Sequence, residues 1–161
     1  FLRATQEQDG SWYGRWGVNY IYGTWAVLTG LRAFGEDFSQ EYIQRAIQWL
    51  ESCQNTDGGW GESCDTYTNP RAKGKATRTP SQTAWAVMAL VESGKAHAPA
   101  VQRGLRFLVE GQQADGTWAE EEYTGTGFPK HFYINYHLYR NYFPLMALAR
   151  YHSAVTGCVA G

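Results

Sequence analysis

The chain has 161 residues, 43% hydrophobic and 18% charged, a composition that supports a packed core and argues against disorder. A net charge of −1 argues against nucleic acid, whose phosphates demand a basic surface. No apolar run approaches the roughly 20 residues of a membrane span, and Phe1-Leu2-Arg3 lacks a signal-peptide layout.

Aromatic residues make up 16% of the chain, including seven Trp and eleven Tyr. Such rings bury large areas and offer electron-rich faces to cations. Cys53, Cys64 and Cys158 are an odd, scattered set, which suggests reduced thiols in a cytoplasmic compartment rather than a disulfide scaffold. Cys158 stands fourth from the end, but a terminal Gly does not fit a prenylation box.

The chain opens on a motif, Phe1-Leu2…Gln6…Gly10-Ser11-Trp12, that returns twice. It has no initiating Met and begins inside the motif, so it is expected to be part of a longer protein. The segment Gly14-Arg15-Trp16-Gly17-Val18-Asn19-Tyr20-Ile21-Tyr22-Gly23-Thr24 follows as a glycine-flanked loop, the kind of place where sites sit. Trp16 in this loop is a candidate for a cavity wall, with plain packing as the alternative. Thr24-Trp25-Ala26-Val27-Leu28 then reads as a buried helix, with Trp25 in its core.

Ile43, Ala46, Ile47 and Leu50 recur at helical spacing and lead into the second motif, Trp49-Leu50…Gln54…Gly58-Gly59-Trp60. The helix is expected to stop at Asp57-Gly58, where Gly can take positive φ. Residues 61–79 form a polar loop carrying Arg71, Lys73, Lys75 and Arg78, read as solvated surface with anionic lipid heads as the sharper alternative. Thr79 and Pro80 suit a helix start, and Thr83 through Leu90 is apolar nearly all round, with Trp85 in the core.

Pro99 opens another amphipathic helix through Val101, Leu105 and Leu108, ending in Phe107-Leu108…Gln112…Gly116-Thr117-Trp118. Glu120-Glu121-Glu122 reads as a solvated turn. The loop from Gly125 to Arg140 holds Phe128, Phe132, Tyr136 and Tyr139, the last two at a spacing that faces one helix side. A final apolar helix contains Phe143-Pro144-Leu145-Met146-Ala147-Leu148, with Pro144 expected in its first turn.

The repeat is an outer amphipathic helix, a Gly-Trp turn and an inner apolar helix, three times over: about residues 1–36, 40–94 and 99–155 of a single unit 1–161. Gln6, Gly10 and Trp12, Gln54, Gly58 and Trp60, and Gln112, Gly116 and Trp118 read as structural clasps tying a helix end to the next turn. Helical hairpins of this kind must stack to bury both faces. The expected fold is all-α, a partial α/α barrel (toroid) of about three hairpins with an apolar open edge.

The Gln…Gly-x-Trp repeat resembles that of squalene and oxidosqualene cyclases. Gly14 to Tyr20 with Tyr22-Gly23-Thr24, Thr79-Pro80-Ser81-Gln82-Thr83-Ala84-Trp85-Ala86 and Gly125-Thr126-Gly127-Phe128-Pro129 are similar to their segments, and the Phe128-Pro129…Phe132 pattern favours the bacterial squalene-hopene branch. The resemblance covers nearly the whole chain. It implies intramolecular polycyclisation of squalene or a related polyene through carbocations, begun by an Asp acid and ended by deprotonation or water capture. It implies that Trp16 lines the cavity, that Tyr22 hydrogen-bonds near the acid, and that Phe128 and Phe132 face late cations. Tyr136 and Tyr139 would lie near the early rings, and Gly127 would give room to bring Phe128 inward.

The acid itself belongs to an Asp-x-Asp-Asp motif, which Asp9, Asp37, Asp57, Asp65 and Asp115 do not form, so this chain alone is expected to be inactive. The implied partners are the N-terminal segments of the enzyme and a membrane surface met by the whole enzyme; a homo-oligomer stays open. No cofactor is implied. His131, His137 and Cys64 lack metal-ligand spacing. Lys130-His131 departs from the relatives' usual small or uncharged residue. Two other readings stand beside this one: a protein prenyltransferase β-like α/α barrel, which needs a zinc site, and a non-catalytic toroid binding module.

Overall fold

A computed structural model describes residues 1–157, and Cys158 lies outside the described residues. The helices are α1 (Leu2–Thr5), α2 (Tyr20–Ala33), α3 (Glu41–Ser52), α4 (Pro80–Glu92), α5 (Pro99–Glu110) and α6 (Tyr139–Thr156). Two short 3-10 turns, Cys64–Tyr67 and Pro70–Ala72, punctuate the long loop before α4. A two-stranded antiparallel hairpin, β1 (Gly125–Phe128) and β2 (Phe132–Ile134), adds to the expected all-helical plan.

α4 is the centre. Thr79 Oγ1 accepts the Gln82 N–H at its start, Pro80 occupies the first turn, and every residue from Pro80 through Val91 is buried. α2 and α6 pack on either side of it, and α3 and α5 lie behind. Ile43, Ala46, Ile47 and Leu50 turn the buried stripe of α3 inward, and Val101, Leu105 and Leu108 do the same for α5. These side chains join Trp60, Trp85, Leu90 and Phe143 in one core.

The flanking inner helices differ from the expectation of burial all round. Ala26 on α2 is exposed, and Leu145 and Met146 on α6 face outward. Among the described residues only the central inner helix has neighbours on every side, so apolar edges of the three-helix layer are left exposed. Pro144 is also not in a first turn. It lies inside α6, because the helix begins earlier, at Tyr139.

The three motif turns repeat closely. Gly10, Gly58 and Gly116 have φ of 96°, 93° and 84°, and the preceding Asp carboxylate accepts the N–H of Ser11, Gly59 or Thr117. The Asp-Gly pairs do not cap the helices as expected. α3 ends at Ser52 and α5 at Glu110, and the glycines shape a separate turn further on.

Each Trp indole donates to the carbonyl of the motif Leu: Trp12 to Leu2, Trp60 to Leu50 and Trp118 to Leu108, at 2.7–2.8 Å. Each Trp N–H also meets an inner-helix side chain, Thr24, Thr83 or Asn141. Gln6 Nε2 spans from Gly10 O to Tyr42 O on α3, and Gln54 Nε2 from Gly58 O to Ala100 O on α5. Arg45 and Arg103 donate to the same Gln side chains. The first two clasps therefore bind their own turn and also the next outer helix. Among the described residues no helix is long and apolar enough to cross a membrane.

Candidate aromatic site

The loop before α2 and the hairpin before α6 meet edge to edge. Gly17 pairs with Gly125, Val18 N–H donates to Thr124 O at 2.9 Å, and Thr126 N–H donates to Trp16 O at 2.9 Å. β1 thus lies between the Trp16–Val18 stretch and β2. Its register with β2 shifts between Thr126 and Phe128, at Gly127. The reversal that follows carries Lys130 at φ 72°, an uncommon conformation for a residue with a Cβ, closed by His131 N–H to Phe128 O.

This pairing brings Trp16, Phe128 and Phe132 onto one ribbon. They are 52%, 56% and 49% exposed, and Phe128 and Phe132 touch edge to face at 5.7 Å. The Arg15 guanidinium covers the Trp16 ring at 5.0 Å. Gly127 serves Phe132, not Phe128 as expected: a Cβ there would stand 2.1 Å from Phe132 Cζ. Phe128 stands at the hairpin end, its ring in contact with that of Phe132.

A second aromatic group lies against the same ribbon. The Tyr22 ring sits on Gly17 and the Tyr136 ring on Gly125, so the two paired glycines carry a Tyr each. Tyr22 meets Trp85 at 5.1 Å, and Trp85 meets Tyr139 at 6.1 Å. Tyr136 stacks on Tyr139 at 4.6 Å, although Tyr136 precedes the helix that Tyr139 begins. Burial raises the Tyr22 hydroxyl above its ordinary range and pushes Tyr139 up to about 12, so both are neutral hydrogen-bonding groups at ordinary pH. All seven expected site residues, Trp16, Tyr22, Gly127, Phe128, Phe132, Tyr136 and Tyr139, thus gather at the inner-helix N-terminal end. Trp85 is a core ring, as expected, whereas Trp25, expected there too, is only partly buried and stacks on it at 5.9 Å.

The long loop before α4 does more than cover surface. Arg71, Lys75 and Arg78 are exposed, in keeping with a solvated run, but Lys73 pairs with Glu7 and Asp9 and lies over the Tyr20 ring. Tyr67 is buried, its hydroxyl 3.0 Å from Gly14 O and 2.8 Å from Gly17 O. Its ring stacks on Tyr133 of β2. Glu120 overturns the reading of a solvated turn: it is buried and accepts from the Ser81 N–H and hydroxyl at the start of α4. Glu62 is 3% exposed and accepts the N–H groups of Asn19, Ile21 and Gly74. Burial pushes its carboxyl up to about 7, against those hydrogen bonds.

Tyr67, Glu62 and Glu120 were missed because polar loops are usually read as solvated. The pattern that marks the two carboxylates is a Glu two residues after the motif Trp, in Trp60-Gly61-Glu62 and Trp118-Ala119-Glu120. Among the described residues, no group of three or more His, Cys, Asp or Glu side chains is placed to hold a metal ion.

The layered hairpins recur in a solved type II terpene cyclase from Scytonema, in complex with geranylgeranyl dihydroxybenzoate, with a TM-score of 0.65 over 96% of this chain and 48% of that one at 19% identity. That likeness concerns the fold alone. In sequence, the squalene-hopene cyclase of Alicyclobacillus acidocaldarius is 54% identical over 155 residues, 96% of this chain and 25% of that protein. The squalene-hopene cyclase of Zymomonas mobilis is 48% identical over 154 residues, 95% of this chain and 23% of its own length. The chain therefore spans about a quarter of the length of these relatives. Residues 1–153 match the squalene-hopene cyclase C-terminal domain, a match that takes in all three clasps and both edges of the aromatic ribbon, and to that family the chain belongs.

Proposed function

We propose that this chain supplies part of the aromatic wall of a squalene-hopene-type cyclase, in which squalene or a related polyene is folded and its cations are stabilised as rings close. The observation that carries the reading is that Trp16, Phe128 and Phe132 stand on one backbone-paired ribbon, each about half exposed. A carbocation met by a nucleophile is trapped early, whereas an aromatic face stabilises it, by about 2 kcal/mol or more when desolvated. Phe128 and Phe132 would face late cations, with Tyr136 and Tyr139 nearer the early rings. Trp16 would form cavity wall, and Tyr22 would hydrogen-bond near the initiating acid.

The rest of the enzyme would close the cavity and supply the acid. Leu138, Tyr142, Leu145 and Met146 present an apolar edge for it, and the buried indole N–H groups of Trp25 and Trp85 lack an acceptor among the described residues. The isolated chain would be inactive, since it carries no Asp-x-Asp-Asp. The whole enzyme would dock on a membrane surface, because its substrate is a hydrocarbon, and would act as an isomerase, with lyase character toward a hydrated product.

The test is complementation. This chain is mixed with a cyclase segment carrying Asp-x-Asp-Asp, and squalene turnover is followed by gas chromatography. Turnover is expected only in the mixture, and Phe128→Ala should enrich prematurely terminated rings. An unchanged product mixture from that variant would remove Phe128 from the site.

A further inference from the structure

Two clasps are followed by a carboxylate that reaches back to the preceding inner helix. Glu62 follows Trp60 and meets the start of α2; Glu120 follows Trp118 and meets the start of α4. Gly14 stands in the equivalent place after Trp12. The two carboxylates hold different things. α4 is already capped by Thr79 and surrounded by core. α2 has no capping hydrogen bond from its own N-cap side chain.

Glu62 supplies that cap from another segment. One oxygen accepts the N–H of Asn19 at 3.1 Å and of Ile21 at 2.9 Å, and the other accepts Gly74 N–H at 3.4 Å. Ile21 immediately precedes Tyr22. Asn19 accepts the Gly14 N–H through Oδ1 at 3.1 Å and so closes the turn that carries Trp16. Gln82 of α4 fixes Glu62 in turn. Its side chain accepts the Glu62 N–H at 3.0 Å and donates to the carbonyls of Glu62 and Val18, both at 2.9 Å.

We propose that Glu62 is a positioning residue for cyclisation: it locks the Gly14–Val18 turn to the first turn of α2, so that Trp16 and Tyr22 present their rings to the substrate together. This rests on the cavity reading above. Glu62 would touch neither ring nor substrate and would act through backbone alone. Ionised, the carboxylate suits the task because both oxygens accept, whereas an amide, whichever way it is turned, sets its NH2 against at least one of the Asn19, Ile21 and Gly74 N–H groups. In a buried network each lost acceptor leaves a donor unpaired, so the turn must move to find water. Misplacing a reacting or stabilising group by about 1 Å can cost on the order of a hundredfold in rate.

The test uses the whole cyclase that contains this chain, with squalene in detergent micelles, and compares the parent with Glu62→Ala, Glu62→Gln and Leu105→Ala. Leu105 is buried on α5, so its truncation lowers stability without touching α2. At a temperature where circular dichroism shows each protein folded, Glu62→Ala is expected to lower kcat on the order of tenfold to a hundredfold. KM should change by less than about twofold, and partly cyclised products should appear. Glu62→Gln, which keeps one acceptor oxygen, should fall between the two and carries the comparison if Ala does not fold. Leu105→Ala should melt earlier and keep the parental product ratio. The proposal is overturned if the Glu62 variants behave like Leu105→Ala, with parental products and turnover that tracks the folded fraction. A parent that turns over no polyene defeats the cavity reading itself, a different result from an active parent indifferent to Glu62.

Discussion

The far edge of the Phe132 ring lies against Gly127, so close that a Cβ on the glycine would stand 2.1 Å from Cζ and 2.2 Å from Cε2. No rotation of a methyl group relieves such a contact; the ring or the strand must move. Because β1 and β2 are joined by so few residues, the ring has little freedom to yield without opening the hairpin. Gly127→Ala should therefore destabilise the chain by about 1–3 kcal/mol, the usual cost of overpacking. Urea denaturation would show it as a lower midpoint with an unchanged slope. A midpoint equal to that of the parent would mean that the ring is not seated there.

The repeat and its helices were legible because each depends on local pattern. Gly at a positive φ, Leu at helical spacing and a Trp after Gly each leave a mark in the chain itself. Trp16, Phe128 and Phe132 could be nominated by resemblance, but their meeting could not be read, since it depends on Gly17 pairing with Gly125 across more than a hundred residues. Glu62 and Glu120 were invisible for a related reason. A Glu in a polar loop looks solvated until the helix start that it caps is known to lie beside it. Pro144 misled for the opposite reason: a local rule placed it in a first turn, while the stacked Tyr136 and Tyr139 start α6 earlier.

The three clasps are alike in sequence and unequal in structure. Gln54 binds its own turn and reaches Ala100 O on α5, with Arg103 donating to it, whereas among the described residues Gln112 reaches only Gly116 O. The cross-helix bond should be visible as a difference between two otherwise identical substitutions. Gln54→Ala is expected to cost about 1–3 kcal/mol, and Gln112→Ala less than about 1 kcal/mol. Thermal melts of the two variants, side by side, check it. Equal losses would show that the bond to the neighbouring helix contributes nothing.

Tyr67 offers a cleaner deletion, since Phe keeps its ring. The hydroxyl bridges Gly14 O and Gly17 O on either side of Trp16, and the ring stacks on Tyr133. Tyr67→Phe should leave the stack in place and free the turn, at a cost of about 1–2 kcal/mol. Amide hydrogen exchange should rise at Val18, whose N–H is held by Thr124 O, while α4 stays protected. Uniform loss of protection across α4 as well would point to general destabilisation.

Glu62 also sets a dependence of stability on pH. Burial pushes its carboxyl up to about 7, from an ordinary value of 4.5. Between these values the folded chain keeps the proton that the unfolded chain has released. The unfolded state then binds fewer protons, so stability falls as pH rises through the window and levels off above about 7. The full loss is on the order of 3 kcal/mol, at about 1.4 kcal/mol for each pH unit of the interval. Glu120 is shifted in the same direction by its own burial, so the parent's slope alone is ambiguous. The difference between the parent and Glu62→Gln removes that contribution, because Glu120 is present in both. Urea midpoints collected from pH 4 to pH 8 should fall more steeply for the parent than for the variant, with the gap accumulating between about 4.5 and 7. Parallel curves would mean that Glu62 is already ionised throughout, held by the Asn19, Ile21 and Gly74 N–H groups more strongly than burial opposes it.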